Sequence, residues 1–200
     1  MMADMQQSMK LRGRVREAYS GAAENPRASH PFPVGRHFAE SVGYPGDLLD
    51  RMPPACVDAF AGVSNVALFA DLLPGTTVLD LGCGAGLDSL IAVDRIGPDG
   101  SVLGLDFSES MLLRACQAGS QLGRGNVLFF RGDAENLPLE DESIDAALVN
   151  GIFNLNPARA AIFPELARVV RPGGAVYVAE IIVRQPLPPE VRSSEVDWFA

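Results

Sequence analysis

The chain has 200 residues, a formal charge of −9 at neutral pH and close to half of its residues apolar. That length suits one domain with some appended structure, and that apolar share can build a substantial core. An acidic chain is a poor match for nucleic-acid phosphates or an anionic membrane surface, so neither partner is expected. No stretch reaches the roughly 20 apolar residues of a membrane span, and the opening MMADMQQSMKLRGRV lacks the apolar centre of a secretory signal. Cys56, Cys83 and Cys116 are an odd set without CxxC or CxxxC spacing, so no disulfide framework and no metal site are expected. A reducing, cytoplasmic compartment is the expectation that follows.

In chain order, residues 4–20 read as a polar, partly amphipathic helix. ENPRASHPFPVG follows, and its prolines predict an extended arm or loop. GDLLDRMPP reads as a short helix stopped by Pro53 and Pro54, and SNVALFADLLPG as a helix ended by Pro74 and Gly75. From Thr76 the pattern changes to short apolar strands alternating with helices. The strands are TTVLDLG, SVLGLD, NVLFFRG, SIDAALVNG and AVYVAEIIV. Between them lie GLDSLIAVDRIG and SESMLLRACQAGSQLG, the latter with Ser108 as N-cap and Gly119 and Gly123 marking its end. PARAAIFPELARVVRPGG is helical, with Pro164 either kinking it or starting its second part. This alternation predicts right-handed βαβ units and a doubly wound, mostly parallel α/β sheet. Residues 1–64 then form a helical, Pro-rich arm and lid, and residues 65–200 the α/β domain.

Ligands of such sheets bind beyond the carboxyl ends of the strands, near the switch in strand order. The first strand ends in Asp80, Gly82, Gly84 and Gly86, a G-x-G-x-G spacing rather than the G-x-G-x-x-G of dinucleotide sites. Asp106, past the second strand, can accept hydrogen bonds from ribose hydroxyls, which favours a nucleoside without choosing one. Asp133, in GDAENLP after the third strand, can accept from an adenine amine.

Taken together, VLDLGCGAG, GLDFS, GDAENLP and LARVVRPGG resemble the motifs of class I S-adenosylmethionine-dependent methyltransferases, over about Asn65 to Val183. GPDGSVLGLDFSESML, NVLFFRGDAENLPLEDESIDAALVNGIFNL, FPELARVVRPGG and VGYPGDLLDRMP are similar to the branch that includes arsenite methyltransferases. The resemblance implies a Rossmann-like fold and S-adenosyl-L-methionine as cofactor. It implies that Asp80, Gly82, Cys83, Gly84 and Gly86 approach the methionine portion. Asp106 would hold the ribose, with Phe107 packing beside the adenine, Met111 would also belong to the cofactor site, and Asp133 and Ala134 would bind the adenine edge. Asn150 would line the floor near the transferring methyl. The same branch carries cysteines where this chain has Gly62 and Gly151, so an organic small-molecule acceptor is favoured over arsenite. A cofactor-binding homologue without methyl transfer is an alternative, and a nicotinamide oxidoreductase is disfavoured by the glycine spacing.

For the acceptor side, His30, His37, Tyr19 and Asn154 are the catalytic candidates. A histidine near the methyl can act as general base, yet one in a solvated arm needs no such role. Tyr19 and Tyr44 carry the same ambiguity, and Tyr19 gains interest because the family's N-terminal segment often folds over the cofactor. Asn154 and Asn156 can orient an acceptor or cap the helix near Pro157. Cys83 reads as packing, Cys116 as a core residue with Leu112 and Leu113, and Asp88 and Asp94 as helix-surface charges. The resemblance further implies a helix and two more strands after the WFA stretch. A sheet stopping at the fifth strand has an open edge, which predicts low solubility or a homodimer.

Overall fold

A strand that is apolar on both faces demands cover on both faces, and Val78, Leu79 and Leu81 are all fully buried. The computed structural model describes residues 2–182, 184 and 185. Its centre is a five-stranded sheet of β1 (Thr77–Leu81), β2 (Ser101–Asp106), β3 (Val127–Arg131), β4 (Ile144–Asn150) and β5 (Val170–Ala179). The spatial order is β3-β2-β1-β4-β5, with every pair parallel. The chain therefore winds outward from β1 to β3, then returns to the other side of β1. The switch in direction falls between β1 and β4, whose ends line the site described below.

Around the sheet lie α1 (Met2–Glu24), α2 (Arg36–Ser41), α3 (Gly46–Leu49), α4 (Pro54–Val57), α5 (Val66–Phe69), α6 (Leu87–Ile96), α7 (Glu109–Gln121) and α8 (Ile162–Val169). Strand alternation assigns the faces. Leu79, Leu81, Ala147 and Val149 point to one side, where Ile162, Leu166 and Val169 of α8 cover them. Val78, Ala146 and Leu148 point to the other, where α6, α5 and the N-terminal elements pack. Each fully buried Leu, Val or Ile contributes about 1.5–3 kcal/mol relative to exposure. Asp80 and Asn150 share the parity of Val78 and Leu148, so the same alternation aims both toward α6.

The expected strands and main helices are present, with several differences of detail. The segment after Asn65 is helical only to Phe69. Arg95 donates to the carbonyls of Ala67 and Leu68, which satisfies them without a further helical turn. Pro54 starts α4 instead of ending a helix, because its missing N–H costs nothing in the first turn. The helix α2 has no counterpart in the sequence pattern. Gly123, at φ +63°, ends α7, whereas Gly119 is buried inside it. Ser108 does cap α7, accepting from the Met111 amide. Pro164 lies in the first turn of α8, after a short 3₁₀ turn at Arg159–Ala161.

The RPGG stretch is a bulge within β5 rather than a turn before it: Ile144 pairs with Val170 and Ala146 with Ala175. Gly173, at φ +83°, sits in that register shift. β5 stops at Ala179 because Glu180 folds back, accepting from the amides of Phe153 (2.7 Å) and Asn154 (3.3 Å). Among the described residues β5 pairs with β4 alone. The expectations for Val183, Trp198, Phe199 and Ala200 lie outside the described residues.

Cys116 is exposed, contrary to the core reading. The buried stripe of α7 is Leu112, Ala115, Ala118 and Gly119, and Leu113 is also exposed. Cys56 and Cys83 are buried. Titration of the native protein with an aromatic disulfide reagent is therefore expected to label Cys116 rapidly, and Cys56 and Cys83 only on unfolding. Rapid reaction of Cys56 or Cys83 would contradict this packing.

Candidate functional site

A cleft opens over the carboxyl ends of β1, β2 and β4. Its walls include Val15 and Tyr19 of α1, Cys56, residues 59–62, the Gly82–Ala85 turn, Asp106, Phe107 and Met111. Gly132 to Ala134, Asn150 to Ile152, Leu155 and Asn156 line it too, with Arg12, Asp80, Leu87, Asp88 and Leu105. The cavity volume is about 130 Å³.

The turn after β1 is made by glycines because its backbone is left-handed. Gly82 has φ +76°, and a Cβ there would lie 2.3 Å from the Ile152 side chain. Gly84 has φ +52°, and a Cβ there would meet only Met111 Sδ, at 3.9 Å. Gly84 is thus the backbone that faces open cleft. Gly86 does not line it. A Cβ at Gly86 would strike Ala115 and the Phe129 ring, both at 3.0 Å, so that glycine serves helix-to-sheet packing.

Three buried carboxylates face the cleft. Asp80, at 2 % exposure, accepts from Ser89 Oγ at 2.5 Å. Asp106 accepts from the amides of Gly84 (2.9 Å) and Ser108 (2.8 Å). Asp88 was expected on the helix surface, yet it is 6 % exposed. Its Oδ1 accepts from Tyr44 Oη (2.5 Å) and the Ala67 amide (3.1 Å), and its Oδ2 from Asn150 Nδ2 (2.8 Å). Tyr44 is accordingly a buried donor, not a solvated side chain. Asp94 does lie at the surface, paired with Arg124.

Among the described residues none of these three carboxylates has a cationic partner. Burial raises all three above the usual carboxylate range, and the charge of Asp88 adds to the rise at Asp80. Hydrogen bonds to Asp88 and Asp106 offset part of the effect.

Asn150 uses all of its polar capacity. Its Oδ1 accepts from the Val63 (2.8 Å) and Ser64 (3.1 Å) amides, and its Nδ2 donates to Ser64 O (2.7 Å) as well as to Asp88. It holds the 62–64 segment against the sheet, leaving no free group for a ligand. At the other end, Arg12 of α1 bridges Asp133 (2.6 Å) and Glu135 (2.8 Å), and Asn156 Nδ2 donates to Glu135 at 2.6 Å. Asn156 Oδ1 also accepts from the Ala158 amide at 2.8 Å, combining the capping role with a place in the cleft wall.

Comparison with known proteins identifies this arrangement. A methyltransferase-domain family profile matches residues 72–198. The chain belongs to that family. It is 36% identical over 154 residues to an arsenite methyltransferase of Halobacterium salinarum, covering 77% of this chain and 39% of that protein. It is 42% identical over 106 residues to a demethylmenaquinone methyltransferase of Desulfitobacterium hafniense, covering 52% of this chain and 41% of that one. Among solved structures it is similar to an arsenic(III) S-adenosylmethionine methyltransferase of Chlamydomonas reinhardtii, with TM-score 0.63 and 30% identity over 81% of this chain and 56% of that chain. The chain thus spans less than half the length of these two curated relatives.

The fold is that of a class I methyltransferase, and the family's cofactor is S-adenosylmethionine. The residues of this methyltransferase domain fit that cofactor. Three carboxylates without a cation suit a ligand that is positive at its sulfur and its amino group. At an effective dielectric constant of 20, a cation about 4 Å from one carboxylate gains about 4 kcal/mol. Gly84 offers open backbone beside them, and Phe107, Met111, Asp133 and Ala134 line the same cleft. Cys83 also lines it, but its Sγ would sit 3.2 Å from a Cβ at Gly104, so the thiol fills the space behind the turn.

The acceptor-side candidates separate clearly. Tyr19 lines the cleft, stacked on Phe32 at 4.4 Å between centroids. His30 bonds to Asn25 O at 2.9 Å and His37 is exposed, and neither lines the cleft. Asn154 donates to Ile181 O and is likewise outside it. Sequence reasoning missed the roles of Asp88 and Arg12 and left Tyr44 between a site role and a solvated one. Arg12 carried no readable signal, since its partners lie more than 120 residues away.

Asp80 yields a test of the electrostatics. Its folded-state pKa is raised, so its contribution to stability is complete below the unfolded value near 4 and is lost as pH rises through the folded value. The ligand-free protein is expected to lose stability from roughly pH 5 to pH 8 by a component absent from Asp80→Asn. Thermal unfolding of both proteins at the two pH values measures it; parallel curves would refute the assignment.

Proposed function

We propose that this chain binds S-adenosylmethionine in the cleft and transfers its methyl group to a small organic molecule. The carrying observation is the set of buried carboxylates, Asp80, Asp88 and Asp106, gathered without a cation at the switch point. When bound, the cofactor supplies a methyl on a positively charged sulfur: the acceptor's lone pair forms the new bond, and the old C–S electron pair stays on sulfur. Asp106 accepts from the ribose, Asp133 and Ala134 read the adenine edge, and Asp80 with the Gly82–Gly84 turn holds the amino acid end. Residues 1–64 act as arm and lid, with Arg12 clasping Asp133 and Glu135 across the mouth. The walls mainly align donor and acceptor and exclude water. No histidine lines the cleft, so histidine is not the group that takes the acceptor's proton.

An organic acceptor is favoured over arsenite by the thiols. A trivalent arsenical needs thiolates, and burial raises Cys83 well above its ordinary value and pushes Cys56 up to about 12. A Cβ at Gly62 would lie 2.5 Å from Asn150 Nδ2, and one at Gly151 would lie 2.9 Å from Val63 at φ +78°.

Calorimetry is expected to show one S-adenosylhomocysteine bound per chain, and absence of binding by both this product and S-adenosylmethionine would sink the proposal. Arg12→Ala is expected to weaken binding about 2- to 5-fold, the worth of a partly exposed ion pair, and to remove part of the salt dependence.

A further inference from the structure

The cleft's polar groups can be taken one at a time. Arg12, its one lining cation among the described residues, is held by Asp133 and Glu135. Asp80, Asp88 and Asp106 accept from Ser89, Tyr44, Asn150 and backbone amides. Asn150 has every polar atom engaged. Asn156 is bound to Glu135 and Ala158. Tyr19 is different: its ring lines the cleft, and among the described residues its hydroxyl has no hydrogen-bond partner. Tyr44, by contrast, spends its hydroxyl on Asp88.

The position of Tyr19 is informative. It feels the charges of Asp106, at the end of β2, and of Glu180, just past β5. Tyr19 lines the cleft from α1, one turn after Val15, with its ring stacked on Phe32 at 4.4 Å between centroids. Burial and the two carboxylates raise its pKa, so it remains a neutral phenol, a donor and not a base. The walls that share the cleft with it are apolar: Val15 one turn earlier on α1, Phe60, Ala61, Ile152 and Leu155.

We propose that the acceptor is a neutral, largely apolar molecule bearing a hydroxyl group, and that Tyr19 is the specificity-determining residue that hydrogen-bonds it. This rests on the reading of the cleft as an S-adenosylmethionine site. A carboxylated or phosphorylated acceptor finds no free cation in the lining among the described residues and meets the buried carboxylates Asp80, Asp88 and Asp106. A cationic acceptor is repelled by the positive sulfur beside which it must sit. A neutral hydroxyl on an apolar body meets neither penalty and supplies the partner that the Tyr19 hydroxyl lacks.

The experiment uses the chain saturated with S-adenosylhomocysteine, titrated with 2-naphthol, naphthalene and 2-naphthoate, for wild type and Tyr19→Phe. The substitution keeps the ring stacked on Phe32, so folding is preserved, and circular dichroism checks it. Expected is tighter binding of 2-naphthol than of naphthalene, with exclusion of 2-naphthoate. Tyr19→Phe is expected to weaken 2-naphthol about 5- to 10-fold and to leave naphthalene and S-adenosylhomocysteine unchanged. The proposal is overturned if 2-naphthoate binds as well as 2-naphthol, if no probe binds, or if Tyr19→Phe changes nothing. It is overturned too if the substitution weakens S-adenosylhomocysteine, which would assign the hydroxyl to the cofactor. Failure of wild type to bind S-adenosylhomocysteine would instead remove the cofactor reading itself.

Discussion

A carboxylate taken out of water must find donors, and Asp88 finds them on three separate segments. Tyr44 comes from the loop between α2 and α3, the Ala67 amide from α5, and Asn150 from the end of β4. An unsatisfied buried charge costs several kcal/mol, so these segments cannot drift apart independently. Asn150 extends the constraint by gripping Val63 and Ser64. One wall of the cleft is thereby fixed to the central strands through side chains rather than through the sheet ladder. The shape of the ligand space follows from where this network holds the 59–64 segment.

The same network sets the electrostatics. Three buried carboxylates, Asp80 on β1, Asp106 at the end of β2 and Asp88 in the first turn of α6, are unfavourable for the ligand-free protein, and burial raises the pKa of each. Neutral donors reduce that penalty without cancelling the charge. A built-in arginine would cancel it and would also compete with a cationic ligand. The arginine that lines the cleft, Arg12, is directed instead to Asp133 and Glu135 at the rim. Among the described residues no cation compensates the interior carboxylates, while charge pairing at the rim joins α1 to the loop after β3. Local stability and ligand affinity are coupled in the way expected of a functional cleft.

The parts of the fold legible in the sequence are those dictated by local pattern. β2 has the bounds SVLGLD suggests, Ser108 caps α7, and the left-handed turn after β1 is written in its glycines. What was not legible depends on distant partners. Asp88 on an amphipathic helix looks like a surface charge until Tyr44 and Asn150, 44 and 62 residues away, are brought to it. Cys116 lies one residue beyond the buried stripe of α7, and a step of 100° along a helix separates core from solvent. The RPGG bulge is defined by its pairing with β4, a register that composition does not encode. The glycines of one motif also divide their roles, since Gly84 faces the cleft while Gly86 lets Phe129 and Ala115 approach.

Gly62 links architecture to chemistry. In the branch with arsenic substrates the resemblance places a thiol here, and the space available shows why this chain cannot simply restore one. Any Cβ at position 62 meets the Asn150 amide at 2.5–3.0 Å. Moving that amide would release Val63, Ser64 and Asp88 together, leaving a buried carboxylate short of a donor. The glycine is therefore tied to the network. The Asn150–Asp88 anchor thereby holds the 62–64 wall of the cleft against the central strands.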